Sequence, residues 1–303
     1  MAASIERLIT SQTALRFAVS IAQITPARFG YAISRVIAQW ISSRSNTGPV
    51  TAVRANQWVI AGKMDSARFL DQAVQAVFQN SARSIYELYH FIQHPRAVDQ
   101  MFSIDPSFQA IFTHPEFGRQ GLVLAGLHMV GFDLGLQWLS LNQFKPVVLT
   151  LPNPEGGRLL EFEARQKAGL KMVPGSVKGL LQALRHLQQG GMVMTGIDHP
   201  APGSDPRPCF FGLPAVLPTH HIYLALKAKV PVVVVGSRLE EDGKQHIYAS
   251  APIEMDPHPN RAEELQINAE KVLTVVEEFI RRAPQQWLIS QPVWPEIIND
   301  VPR

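Results

Sequence analysis

The chain has one cysteine, Cys209, in 303 residues, so no internal disulfide framework is available and a reducing, cytoplasmic setting is expected. Charged residues make up only 17% of the composition while apolar ones reach 46%. Yet no window offers the roughly 18 uninterrupted apolar residues of a spanning helix, so a transmembrane passage is not expected. The amino-terminal apolar stretch is interrupted by Arg7 and Arg16 and lacks a small-residue cleavage site, which does not read as a secretory signal. GxSxG, GxGxxG and GxxxxGK[ST] are all missing, so nucleophilic-serine, dinucleotide and P-loop chemistries lack their anchors. Metal ligation has little to stand on. His90 and His94 share a helical spacing, but no general-base glutamate lies between them and Pro95 follows at once; no metal or other cofactor is expected. His220 and His221, at a helix start, suit a polar lining as well as ligation.

What is present is unevenly distributed. Residues 1–70 carry Arg7, Arg16, Arg28, Arg35, Arg44, Arg54, Lys63 and Arg68 against only Glu6 and Asp65. These cations alternate with Ile21, Phe29, Ile33, Ile37 and Trp40 at helical spacing, a pattern suited to an anionic lipid surface or to a helix pair packed on the core. Nucleic acid is not the expected partner, because clustered lysines and an aromatic stacking platform are both missing.

The apolar rhythm changes near residue 118. Before it, Ile5–Ala22, Pro26–Ser42, Thr51–Ala61, Ser66–Ile92 and Pro106–Phe112 carry a helical period and no strand is expected. After it, strands over 121–127, 146–151, 170–173, 192–197 and 231–236 alternate with helices over 132–140, 158–168, 177–189 and 219–228, followed by a last helix over 261–282. The expectation is an N-terminal helical, membrane-facing region over 1–117 and an α/β core over 118–303, with a largely parallel sheet covered by helices. In such sheets active sites gather beyond the carboxyl ends of strands, where His128 and Asp198 both fall.

His128 and Asp133 stand five apart at the first of these strand-to-helix junctions. Residues five apart do not share a helix face, so His128 is placed before the helix and Asp133 in its first turns, with its carboxylate pointing back at the imidazole. A carboxylate behind a histidine makes the ring a general base. The plainer alternative is a packed histidine beside an unrelated aspartate.

Several motifs, in order, carry a family resemblance. His128-x-x-x-x-Asp133, Arg165-Gln-Lys-Ala-Gly169, Gly196-Ile-Asp198, Phe210-Phe211-Gly212-Leu-Pro214-Ala215 and Ala283-Pro284-Gln285-Gln286-Trp287, with Val53-Arg54-Ala55-Asn56 upstream, resemble the lysophospholipid acyltransferase superfamily. The resemblance is to its branch of bacterial lipid A biosynthesis (lauroyl/myristoyl) acyltransferases and mycobacterial phosphatidylinositol mannoside acyltransferases, over about residues 25–290. It implies a glycerolipid-acyltransferase-like fold and a peripheral enzyme on the cytoplasmic face of the inner membrane. The implied reaction moves an acyl chain from an acyl carrier protein or coenzyme A thioester to a hydroxyl of a glycolipid or phospholipid. It further implies His128 as base with Asp133, Arg165 on a donor or headgroup phosphate, Asp198 on an acceptor hydroxyl or an arginine, and Phe211 and Gly212 along the acyl path. The alternatives are an inactive lipid-binding member of the fold and an acyl-thioester hydrolase. Gly131-Phe132 replaces the Asn-Trp of many lipid A enzymes, and Asp133 replaces their glutamate, which leaves the acceptor open.

Overall fold

The computed structural model describes residues 20–63, 66–113, 119–150, 162–163, 165–167 and 169–302. Most of the helix expected over Ile5–Ala22, and most of that over 158–168, lie outside these residues. Among the described ones the chain runs through α1 (Ala27–Ser42), α2 (Gly48–Ile60), α3 (Ala67–Phe91), α4 (Pro95–Met101), β1 (Phe102–Ile104), α5 (Pro106–Thr113), β2 (Leu122–Gly126), α6 (Phe132–Leu141), β3 (Val147–Thr150) and β4 (Lys171–Pro174). It continues through α7 (Val177–Gln188), β5 (Met192–Gly196), a small hairpin of β6 (Cys209–Phe210) and β7 (Leu213–Pro214), α8 (His220–Ala228), β8 (Val232–Leu239), β9 (Gln245–Ala249) and α9 (Arg261–Arg282).

Among the described residues, seven strands form one sheet in the order β1-β9-β8-β2-β5-β3-β4, in which only the β8–β9 pair is antiparallel. A mostly parallel sheet must be covered on both faces, because its connections cross over as helices. Accordingly β2 is buried along its whole length and reads as a continuous apolar run. Alternate residues then serve opposite cores: Val123, Ala125, Val193, Val232 and Val234 pack with α8 and α9, while Leu124, Met194, Val233 and Val235 pack with α4, α5 and α6. A third cluster joins α1, α2 and α3 through Ala38, Val50, Val53, Val74, Val77 and Phe78.

Two departures from expectation concern the sheet edge. Phe102–Ile104 is a strand within the stretch read as helical, pairing in parallel with β9. β1 is a three-residue edge strand, and β9, set between it and β8, buries only alternate residues and follows the charged turn Glu240-Glu241-Asp242-Gly243-Lys244, so neither offers a long apolar run.

Helix boundaries follow local chemistry. Ser66, Ser176 and Asn260 each accept a hydrogen bond from the first turn of the helix they precede. In α9, Glu263 and Glu264 sit in the first turn and Arg281 and Arg282 in the last, matching the helix dipole. The α1–α3 contact depends on Gly30, where an added Cβ would lie 2.0 Å from Tyr86 Cζ. Tyr86 cannot easily yield, since its hydroxyl donates to the Thr25 carbonyl at 3.0 Å. Gly30→Ala is therefore expected to destabilise the protein by about 1–3 kcal/mol, whereas Gly48→Ala, which meets nothing within 4 Å, should stay within about 0.5 kcal/mol of the parent. Equal urea midpoints for the two variants would contradict this packing.

Candidate active site

Register brings the site together. Gly126 of β2 pairs with Gly196 of β5, so the residues two places beyond each, His128 and Asp198, emerge side by side at the carboxyl ends of adjacent strands. Close approach needs a glycine at this point: a Cβ at Gly196 would sit 2.5 Å from His128 Cε1. After His128 the chain turns within three residues, closed by Gly131 in the left-handed region at φ 81°, and α6 begins at Phe132.

The fully buried Asp198 carboxylate accepts the His128 backbone N–H at 2.8 Å, its ring Nδ1–H at 2.6 Å and the Trp287 indole N–H at 2.8 Å. Burial opposes ionisation, but His128 and these three hydrogen bonds outweigh it and hold the pKa below the ordinary carboxylate value. Because a carboxylate only accepts, the Nδ1 position carries the proton and Nε2 is the basic nitrogen. The His128 side chain is 34% exposed, so the base is reachable while its partner is not.

Asp133 does not take the role that sequence spacing predicts. Its carboxylate pairs with Arg165, which approaches from the segment before β4, and the carboxylate on the His128 ring is that of Asp198. The reason is topological: Asp133 lies on the second residue of α6, whereas the β2–β5 register sets Asp198 directly against the ring. Burial lowers the Arg165 pKa to about 10, which leaves it cationic at neutral pH.

His128, Asp133 and Arg165 line one cavity of about 1010 Å³. On one side it is walled by Ile33, Ile37 and Ile41 of α1 and Phe78, Ala82 and Ile85 of α3. Its lining continues along the carboxyl ends of β3 and β5, with Leu149 and Thr195, to Leu180, Pro218 and His220. Phe211 and Gly212 are not part of this lining. They form the tip of the β6–β7 hairpin, both at positive φ, where Phe211 lies under the Arg281 guanidinium at 4.7 Å and Phe210 stacks on Trp294. Buried Phe210 and half-buried Phe211 thus pack the hairpin against α9 and Trp294.

Further residues join the site. His199 follows Asp198 and places its ring 5.9 Å from that of His128, centroid to centroid, in the same cavity. Trp287 stood in a recognisable motif, but nothing local signalled that its indole would meet Asp198. His220 proves to be a lining residue held by Thr195 at 2.7 Å, and His221 is buried behind it.

A polar centre of this kind, a reachable imidazole with a buried carboxylate behind it and a long apolar cavity before it, suits proton transfer next to a hydrocarbon chain. The class it defines is an α/β group-transfer enzyme acting on lipids. The chain matches the model of the bacterial lipid A biosynthesis acyltransferases over residues 3–295, and it belongs to that family. It is an acyltransferase. No curated protein matches the chain.

The buried imidazole of His220 makes a thermodynamic prediction. Burial lowers its pKa from 6.5 to about 4, so between these values the unfolded chain binds a proton that the folded one refuses. Stability contributed by the neutral ring is therefore complete above pH 6.5 and is lost as pH falls towards 4, by roughly 3 kcal/mol at about 1.4 kcal/mol per pH unit. His220→Gln removes this titration while retaining a polar partner for Thr195. Its urea midpoint should fall less than that of the parent between pH 6.5 and 4; parallel curves would show that His220 does not titrate in this range.

Proposed function

We propose that the chain is a membrane-surface O-acyltransferase that moves a fatty acyl group from a thioester, on acyl carrier protein or coenzyme A, to a hydroxyl of a glycolipid or phospholipid. The observation that carries this reading is the His128–Asp198 pair opening onto the apolar cavity. His128 Nε2 accepts the hydroxyl proton as the oxygen attacks the thioester carbonyl, and Asp198 balances the imidazolium through Nδ1–H. Collapse of the tetrahedral intermediate forms the ester and breaks the C–S bond. The imidazolium then returns its proton to the departing thiolate, so the histidine ends the cycle neutral. No acyl-enzyme is needed.

Asp133 and Arg165 act as a unit in this scheme. The carboxylate fixes the guanidinium at the cavity wall, where it faces an anionic group of donor or acceptor. Apolar side chains of α1 and α3 receive a hydrocarbon chain.

Attachment to the membrane is assigned to α1. Ile24, Phe29, Ile33, Val36, Ile37 and Trp40 are exposed on or next to this helix, accompanied by Arg28, Arg35 and Arg44 and by no acidic residue over 20–47. The Arg44 guanidinium lies 3.5 Å from the Trp40 ring centre, an amphipathic pairing suited to the headgroup boundary. No helix among the described residues is long and apolar enough to cross a membrane, and a peripheral, inner-leaflet position is the corresponding proposal.

The test is acyl transfer measured by mass spectrometry of the acylated lipid. His128→Ala should reduce kcat by about 10²–10⁴. Asp198→Asn, which keeps the shape but removes the charge that fixes the tautomer, should cost about 10³–10⁴. Asp133→Asn leaves the imidazole contacts intact and should act mainly on KM, by about tenfold. A near-normal Asp198→Asn enzyme beside a dead Asp133→Asn enzyme would reverse the roles of the two aspartates.

A further inference from the structure

We propose that the first turns of α7 form a second lipid-contacting edge of the cavity mouth, opposite α1, with an anionic phospholipid leaflet as the partner. The inference rests on the membrane-surface reading of α1 and extends it to a helix that no sequence signal marked.

Val177 is 77% exposed and Leu181 50%, and the two stand one helical turn apart on a single face. Elsewhere on the helix Gly179, Ala183 and Leu187 are buried, and Leu180 and Leu184 are half-buried. Fraying is not the cause of the exposure. Ser176 caps the helix by accepting the Gly179 N–H at 3.2 Å, so the first turn is held with Val177 outward. Gly175 and Leu180, either side of Val177, line the same cavity as Ile33 and Ile37 of α1. The exposed pair therefore stands at the rim of the cavity.

Charge identifies the partner. Residues 175–190 contain Lys178 and Arg185, both exposed, and no aspartate or glutamate. Segment 20–47, on the other rim, has the same character. Elsewhere the surface mixes signs, as in the pairs Arg238–Glu240, Arg261–Glu264 and Arg281–Glu277. Two acid-free helices presenting aliphatic side chains on either side of one cavity match a leaflet whose headgroups are anionic and whose acyl boundary lies just beneath. A lipid acceptor would then enter between α1 and α7 directly from the leaflet, keeping its chains in apolar surroundings until its hydroxyl meets His128.

The experiment uses the full chain and co-flotation with vesicles of phosphatidylcholine alone or of phosphatidylcholine containing phosphatidylglycerol. Val177→Asp/Leu181→Asp should weaken binding to both vesicles by about tenfold or more, and should raise KM for a vesicle-borne acceptor but not for the same acceptor dispersed in detergent. Lys178→Gln/Arg185→Gln should weaken binding only to the phosphatidylglycerol vesicles, by about fivefold per charge removed. Val36→Asp/Trp40→Asp, on α1, serves as the comparison. If the α1 variant detaches while both α7 variants bind like the parent, the second edge is wrong and the α1 reading stands. If all three variants bind like the parent, the membrane-surface reading fails and takes the second edge with it. Melting temperatures verify folding; should the aspartate pair unfold the protein, the glutamine pair alone decides.

Discussion

A carboxylate removed from water must be compensated, and Asp198 is the point at which this chain meets that demand. Its three donors come from two separate parts of the sequence, the turn after β2 and the closing segment after α9. Removing an ion from water costs several kcal/mol even after relaxation, so the site is stable only when all three donors are in place. Folding of the sheet, placement of the closing segment and the choice of His128 tautomer are thus one event. The same hydrogen bond that satisfies the buried charge decides which imidazole nitrogen is basic.

The closing segment is in turn held by helices far away in sequence. Val130 donates to the Gln286 carbonyl and Leu288 to that of His128, while Met129 and Trp287 form an antiparallel bridge. Asn56 of α2 donates to the carbonyls of Ile289 and Gln291 and accepts the N–H of Val293. Gln57 and Asn80 donate to the carbonyls of Pro284 and Gln285. Buried amide side chains that pair with backbone cannot be exchanged for apolar ones without stranding those groups. The asparagine of the upstream Val-Arg-Ala-Asn motif is therefore structural, because through it α2 braces the segment that presents Trp287 to Asp198.

This arrangement explains what could and could not be read from the sequence. The central strands were legible because burial on both faces makes them continuous apolar runs, as in Leu122–Gly126 and Val232–Val235. β1 and β9 were not, since β1 is only three residues long and β9, set between β1 and β8, buries only alternate residues. His128 was legible from its place at a strand end. Its partner was misassigned because spacing along the chain reveals local neighbours, and Asp133 is local; Asp198 is seventy positions away and meets the ring only through the β2–β5 register. The one available clue was positional, for His128 and Asp198 each follow a glycine-ended apolar strand by two residues.

Two carboxylates at one centre then divide the electrostatic work by their surroundings. Asp198 has no contact with solvent, so its charge is directed wholly at the ring and backbone N–H of His128 and at the Trp287 indole. Asp133 is 35% exposed at the side chain and faces Arg165 on the cavity wall, where water screens part of its field and an arriving anion competes for the guanidinium. Exchanging these roles would weaken both. A half-exposed carboxylate behind His128 would stabilise the imidazolium less, and a fully buried one on Arg165 would neutralise the cation against any substrate. In the proposed reaction, the depth of each aspartate, set by strand register in one case and by a helix first turn in the other, suits Asp198 to proton transfer at His128 and Asp133 to anion binding through Arg165 in the same cavity.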